Sequence, residues 1–415
     1  MLENFFCAPK TLRRLRTGPS GPYIDGFADE LTRAGYSGAT AVRYLRAAAH
    51  LGYFVHRARA DLESVDASTL GAFARHFPRC RCPRSNGGAT GYHAYFGARL
   101  FQRYLSQLHV CRDGEVTVEG FDEPALVTAF CDWLQAHRGA SKPTVRLYAR
   151  DATQLVKELG EDVSTWTVRA VREFVTCRTT RSGVVTTQKR ITSLRSFLRF
   201  LNASGESCID LADAVPAIAS WRLARLPRCL TEGEVARLIA TCEGTAPGHV
   251  RDRAILLLLV RLGLRAGDVA QLRLGDIDWR GGTLLVAGKG RYQVRLPLPQ
   301  DVGDALLAYL DLRPKTQCSD RVFLRSIAPA GPFKSGDGVS SVVKHALIRA
   351  GIESPAKGAH LLRHTAATQM LRHGVPLEQI GLVLRHRSPD MTAYYAKLDT
   401  SLLRGVAQPW PEVHS

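Results

Sequence analysis

The sequence predicts a mainly α-helical protein: helical N-terminal modules, then a mixed α/β domain holding one small antiparallel sheet. Three observations carry that expectation. Apolar residues recur at three- and four-residue steps through residues 22–107 and again beyond 121, the period of a helix with one buried face. Two segments of strand composition, Thr283 to Ala287 and Tyr292 to Leu298, bracket Gly288-Lys289-Gly290-Arg291, a hairpin signal in which glycine supplies the turn. Helical spacing then returns at 303–312, 339–350, 360–373 and 377–384.

In chain order, residues 1–110 read as a first helical module. Phe27, Leu31 and Ala34, then Val42, Leu45, Ala49 and Tyr53, mark two helices interrupted by Gly35 and Gly38. A polar, glycine-rich stretch from Pro83 to Gly91 precedes a further helix on which Leu100, Tyr104 and Leu108 share a face. The next block, 121–215, repeats the pattern. Phe130 to Leu134 echoes Phe27 to Leu31 at an offset of 103, and Val145-Arg146 echoes Val42-Arg43 at the same offset. Arg199-Phe200-Leu201 echoes Arg103-Tyr104-Leu105 at 96, the slip that a loop of changed length produces.

This second module carries a basic surface. Ser141 to Thr144 opens a helix on which Lys142, Arg146 and Arg150 lie four apart on one face. Thr186, Thr187, Lys189, Arg190, Arg195 and Arg199 continue that character. Such a groove would donate to DNA phosphates and position a duplex while reading few bases. The bland alternative is a solvated basic face. Residues 216–229, with Trp221 and Pro227, read as a linker. Thr231-x-x-Glu234 is a capping box that starts a new domain, 230–400, with helices at 251–262 and 266–272. Ser388-Pro389-Asp390 starts a last short helix. Residues 401–415 form a tail with a small apolar motif.

Composition narrows the function. Of 415 residues, 45% are hydrophobic and 23% charged, which argues against a disordered or fibrous chain. The longest apolar run, Ala254 to Val260, ends at Arg261 and is too short to cross a bilayer. The first residues lack the pattern of a secretory signal, so the expected compartment is the cytoplasm. The 56 basic and 38 acidic residues give +18, an excess that draws polyanions, nucleic acid foremost. Ten cysteines show no disulfide framework. Cys80 and Cys82, with His76 and Cys111, could be assembled into a zinc site on paper. Their spacing matches the usual paired-ligand pattern poorly, and the expectation is no metal.

Four places in the last domain hold polar residues inside apolar patterns. Arg265 sits at a glycine-flanked helix junction with Asp268 three residues on, where a carboxylate can orient a guanidinium. Lys289 lies in the hairpin turn. His360, Arg363 and His364 crowd one helical face. His386 is followed nine residues later by Tyr395. Singly each reads as a salt bridge, a solvated lysine or a core aromatic. Together, two arginines, a lysine and histidines would neutralise a phosphodiester under attack. They would also favour the phenolate of a tyrosine, whose reference pKa is near 10. No carboxylate cluster accompanies them, which suits metal-free phosphoryl transfer.

On these residues the chain resembles the tyrosine recombinase (lambda-integrase-like) family. Leu264-Arg265-Ala266-Gly267-Asp268, Gly288-Lys289-Gly290, His360-Leu361-Leu362-Arg363-His364 and Leu384-Arg385-His386 with Tyr395 stand in the family's order. The resemblance covers residues 121–410. It implies a helical core-binding domain and a catalytic domain clamping DNA. Tyr395 would attack the scissile phosphate and form a 3′-phosphotyrosyl link. Arg265 and Arg363 would hold the nonbridging oxygens, Lys289 would protonate the leaving 5′-oxygen, and His360 and His386 would support proton handling. Asp268 would orient the Arg265 region and His364 would support packing and hydrogen bonding. It implies no cofactor, four protomers around a Holliday junction, a C-terminal segment able to dock on a neighbour, and accessory DNA-bending or directionality proteins.

Two positions depart from the family pattern: Arg385 replaces the usual glycine before His386, and Tyr394 is a rival nucleophile beside Tyr395. The expected role is integration, excision or transposition of a mobile element, since residues 1–110 exceed what chromosome-dimer resolution requires. A type IB topoisomerase would relax DNA without strand exchange. A silent DNA-binding protein would keep the basic groove and lose part of the polar set.

Overall fold

The computed structural model describes residues 2–77, 80, 82, 91–111, 124–179, 183–207, 210–218, 228–287, 293–314, 319–386 and 388–397. Lys289 with its turn, most of the linker, the stretch from Pro83 and the 401–415 tail lie outside them. Two compact units emerge from the packing. One comprises Met1–Val65, Thr69–Arg112 and Leu223–Ser415, the other Asp113–Arg222 with Asp66–Ser68.

In the first unit, helices α1 (Pro9–Thr17), α2 (Gly21–Arg33), α3 (Gly38–Arg57), α4 (Ala67–His76) and α5 (Gly91–Gln107) each turn an apolar face inward. Phe27, Leu45, Phe73 and Phe101 are fully buried there, with the Phe27 and Phe101 rings edge to face at 5.1 Å. Ser37 starts α3 by accepting a hydrogen bond from the Thr40 backbone N–H.

The second unit holds α6 (Ala125–Arg138), α7 (Lys142–Leu159), α8 (Val168–Thr179) and α9 (Val184–Ala203) around Phe130, Leu155, Phe197 and Leu201. Its succession of two helices, a short 3-10 turn at Val163–Thr165 and two more helices is that of α2 to α5, where the turn is Leu62–Ser64.

The rest of the first unit is the α/β part. Thr231 caps α10 (Glu232–Ala240) in the reciprocal arrangement with Glu234. Helix α11 (Pro247–Arg261) has Ala254 to Val260 all buried, because five of the domain's other helices pack around it. Then come α12 (Ala266–Gln271), β1 (Ile277–Asp278), β2 (Thr283–Ala287), β3 (Gln293–Pro297) and α13 (Gln300–Leu312). The sheet order is β1-β2-β3, antiparallel, with Leu284 opposite Leu296 and Val286 opposite Val294. That register puts Leu284, Val286 and Leu296 on the buried face. Strand β1 and a second small pair, β4 (Leu324–Arg325) with β5 (Gly331–Pro332), are too short to show an alternating pattern in sequence. Helices α14 (Gly336–Arg349), α15 (Ala359–Arg372), α16 (Leu377–Leu384) and α17 (Pro389–Ala396) complete the unit. Among the described residues no helix is long and apolar enough to cross a membrane.

Candidate active site

Helix ends build the site. After α11 the chain must reverse, and Gly263 does so at φ 58°. A Cβ there would lie 2.4 Å from Leu384 Cδ2, so a side chain would add left-handed strain and force Leu384 to shift. The turn places Arg265 just before α12, where Asp268 Oδ2 accepts from the Arg265 backbone N–H at 3.3 Å. The Arg265 guanidinium donates through Nη2 to the Arg385 carbonyl at 2.9 Å.

Helix α15 contributes its sequence-predicted face. His360 and His364 stand one turn apart with ring centroids at 4.7 Å. Arg363, 3% exposed, donates through Nη1 to the Gly263 carbonyl at 2.5 Å and through Nη2 to the Leu384 carbonyl. One guanidinium thereby ties the end of α11 to the end of α16.

Helix α16 ends at Arg385 in the left-handed region, φ 55° and ψ 52°. This geometry explains why glycine suits the position. The arginine side chain turns inward and its Nη2 meets Asp268 Oδ2 at 2.5 Å, both side chains nearly buried. Its Nε and Nη1 are buried with no hydrogen-bond partner among the described residues. Asp268 was expected to orient the Arg265 guanidinium. Its ion pair is with Arg385 instead, while it holds Arg265 through the backbone, since a carboxylate in the first helical turn reaches back to the preceding N–H.

Helix α17 delivers the phenol. The Tyr395 side chain is 2% exposed and its hydroxyl lies 2.7 Å from His364 Nδ1. The His386 ring lies parallel to Tyr395, within 2°, at 6.2 Å. His386 Nδ1 is 2.7 Å from Thr392 Oγ1 on the same short helix. Tyr394 is half-buried beside Tyr395, its ring 6.0 Å from His364 and edge to face with Tyr395 at 5.8 Å; the hydroxyl that contacts His364 is that of Tyr395. Arg265, His360, Arg363, His364, His386 and Tyr395 thus come together, drawn from four helix ends and faces.

Burial sets the electrostatics. Desolvation first, and then the charges of Arg363 and Arg265, lowers His360. Desolvation with His360 and Arg363 takes His364 down to about 4. His386 falls to about 4 by desolvation and the same two arginines, so these imidazoles are neutral at pH 7. Arg363 falls to about 10 through desolvation and the neighbouring Arg265 and Arg385. Tyr395 rises to about 12, because burial outweighs the pull of Arg363. Arg363 thus favours the phenolate as expected, but burial outweighs it, and the nucleophile candidate rests as a phenol.

The basic surface of the second unit divides. Lys142, Arg146, Arg150, Lys189 and Arg199 are exposed. Arg190 donates to the Arg178 carbonyl and Arg195 to the Val215 carbonyl, each at 2.8 Å, so part of each half-buried guanidinium is engaged by the module's own backbone. Thr187 is buried. Two residues escaped the sequence reading of the site. Thr392 has no motif to mark it. Arg385 was noted only as a departure, although a side chain at a glycine position was itself the signal.

Residues 228–401 match the phage integrase family, and residues 127–205 match the phage integrase N-terminal SAM-like domain. A protein of Sinorhizobium fredii named "Putative integrase/recombinase y4rA" is 35% identical over 99% of both chains. Tyrosine recombinase XerD of Mycobacterium tuberculosis is 30% identical over 69% of this chain and 96% of its own. The crystal structure of XerH site-specific recombinase bound to palindromic difH substrate shares the fold. It has a TM-score of 0.55 at 18% identity, covering 83% of this chain and 95% of that one. Matched by sequence along its whole length and by fold along most of it, the chain belongs to the phage integrase family of tyrosine recombinases, enzymes that break and rejoin DNA.

Proposed function

We propose that this recombinase moves a mobile DNA element by integration, excision or transposition, with Tyr395 as nucleophile. The observation that carries the assignment of the nucleophile is the Tyr395 hydroxyl at 2.7 Å from His364 Nδ1, beside Arg363, which in turn neighbours Arg265. The Tyr395 oxygen attacks the scissile phosphorus and the bond to the 5′-oxygen breaks, leaving a 3′-phosphotyrosyl link and a 5′-hydroxyl. The phenol gives up its proton during attack to a neutral imidazole of the surrounding histidines, since burial holds it protonated beforehand. His364 holds the hydroxyl in line. Arg265 and Arg363 take the nonbridging oxygens, Arg363 having further donors beyond its two backbone bonds. Lys289 protonates the departing 5′-oxygen, and His360 and His386 steady the developing charge. The link conserves the energy of the broken bond, so rejoining needs no nucleotide cofactor.

The basic face of the 121–215 module, through Lys142, Arg146, Arg150, Lys189 and Arg199, holds the duplex, and the 230–400 domain closes the clamp. Four protomers on paired recombination sites, with the 401–415 tail docking on a neighbour, carry two sequential strand exchanges in the cytoplasm at the nucleoid. The mobile-element role is supported by the match along 99% of y4rA, which includes the extra first module. Chromosome or plasmid dimer resolution is the second reading, favoured by the XerD likeness over 69% of the chain.

The test uses nicked duplexes carrying the DNA that flanks the gene, so that the cleaved strand is lost and the covalent complex accumulates. Tyr395→Phe should give none, while Tyr394→Phe retains it. A covalent complex with Tyr395→Phe would overturn the nucleophile. Recombination confined to a chromosomal dimer-resolution site, with none at element ends, would favour the second reading.

A further inference from the structure

In the first module, away from the recombination chemistry, four metal-ligating side chains converge. They are His50 from the middle of α3, His76 at the end of α4, and Cys80 and Cys82 just beyond it. One ligand atom from each lies within 4.8 Å of all the others. His76 Nε2 is 3.1 Å from His50 Nε2, Cys80 Sγ is 3.3 Å from His50 Nε2, and Cys82 Sγ is 3.8 Å from His76 Nε2. A tetrahedral zinc with Zn–N near 2.05 Å and Zn–S near 2.3 Å has edges of about 3.3 Å between nitrogens and about 3.5 Å between nitrogen and sulfur. The three observed separations fall within about 0.3 Å of those edges.

The surroundings fit the same purpose. His76 Nδ1 lies 2.5 Å from the Phe73 carbonyl, which can only accept, so Nδ1 carries the hydrogen and Nε2 turns its lone pair to the other three ligands. Phe73 and Phe77 pack edge-on against the His50 ring, and Phe54 lies 4.7 Å from the His76 ring, so aromatic rings hold both imidazoles of the half-buried group in place. Cys111, which could complete such a set only on paper, is engaged elsewhere with Ser106 and the Gln102 carbonyl. The fourth side chain of the cluster, His50, stands 26 residues before His76, a separation that no local spacing rule detects.

We propose that His50, His76, Cys80 and Cys82 bind one zinc ion as a closed structural site that pins α3 to the end of α4. Two thiolates and two imidazoles suit zinc over calcium or magnesium, which prefer oxygen. Four protein ligands leave no open position, so the ion staples and does not catalyse. The expectation of a metal-free protein is revised for this module alone, and the proposal is independent of the reading of the recombination site.

Full-length protein, freed of any histidine tag, should retain about one zinc ion per chain by elemental mass spectrometry after gel filtration. Tyr395→Phe should retain it and the double substitution Cys80→Ser with Cys82→Ser should lose it. Should that variant fail to fold, cobalt exchange into the unmutated protein decides. Tetrahedral coordination by two sulfurs predicts strong visible absorption and a near-ultraviolet thiolate charge-transfer band. A chain that holds neither metal, a weak octahedral cobalt spectrum without the thiolate band, or zinc content unchanged in the double variant would overturn the site.

Discussion

Arg385 shows how one residue reconciles two opposed demands. Its left-handed backbone costs an arginine about 1 kcal/mol relative to glycine. Its nearly buried pair with Asp268 would cost about 3 kcal/mol to break from one side, because the carboxylate is then left uncompensated. Arg385→Ala is therefore expected to destabilise by about 3 kcal/mol, and Arg385→Gly by about 1 kcal/mol less, in urea unfolding of the DNA-free protein. Equal losses would mean that the backbone strain is absent. The histidines set a second expectation at this scale. His364 and His386, with pKa values lowered from 6.5 to about 4, and His360, also lowered, are neutral when folded. Below about pH 6.5 the unfolded chain binds protons that the folded chain refuses. Their contribution is intact above pH 6.5 and lost as the pH falls toward 4, so the melting temperature should drop over that window. The pair of substitutions His364→Asn and His386→Asn should flatten the slope, and an unchanged slope would contradict the burial argument.

At the scale of elements, the catalytic candidates depend on where helices stop. Thr365 illustrates the dependence: its hydroxyl donates to the Leu361 carbonyl within α15 and accepts from the buried Leu230 N–H that precedes α10. Thr365→Val keeps the shape and orphans that N–H, at a cost of about 1–3 kcal/mol by denaturant titration. A neutral result would show that water replaces the bond. The helix registers themselves were readable. The capping box at Thr231, the antiparallel pairing of β2 with β3, the span Leu377–Leu384 and the start at Pro389 all follow from local rules of capping, period and strand pairing. Strand β1 and the β4–β5 pair were not readable, because two-residue strands have no period to detect.

For the whole molecule, a charge of +18 predicts DNA binding that weakens steeply with salt. Replacing Lys142, Arg146 and Lys189 by alanine should shallow the log–log salt slope by about one for each phosphate left without its cation, with the unfolding midpoint unchanged. Arg150 is kept, because it pairs with the buried Asp151 carboxylate at 3.2 Å. Arg195→Ala should lower the midpoint, since that side chain holds the Val215 carbonyl. Fluorescence anisotropy across a salt series, beside thermal unfolding, separates the two classes. Loss of stability in the triple variant would reassign those cations to structure.

What the sequence by itself determined is local in origin: helical periods, one hairpin, and a set of residues whose spacing along single elements puts His360, Arg363 and His364 on one face. Which partner each of them meets was decided by tertiary structure. The hydroxyl of Tyr395 on His364, the turn of Arg385 toward Asp268, the diversion of Arg190 and Arg195 to backbone carbonyls, and the arrival of His50 beside Cys80 all join residues far apart in the chain. Periodicity constrains neighbours within a turn or two. The approach of one helix end to another is fixed by the packing of whole apolar faces, which no short window of sequence contains.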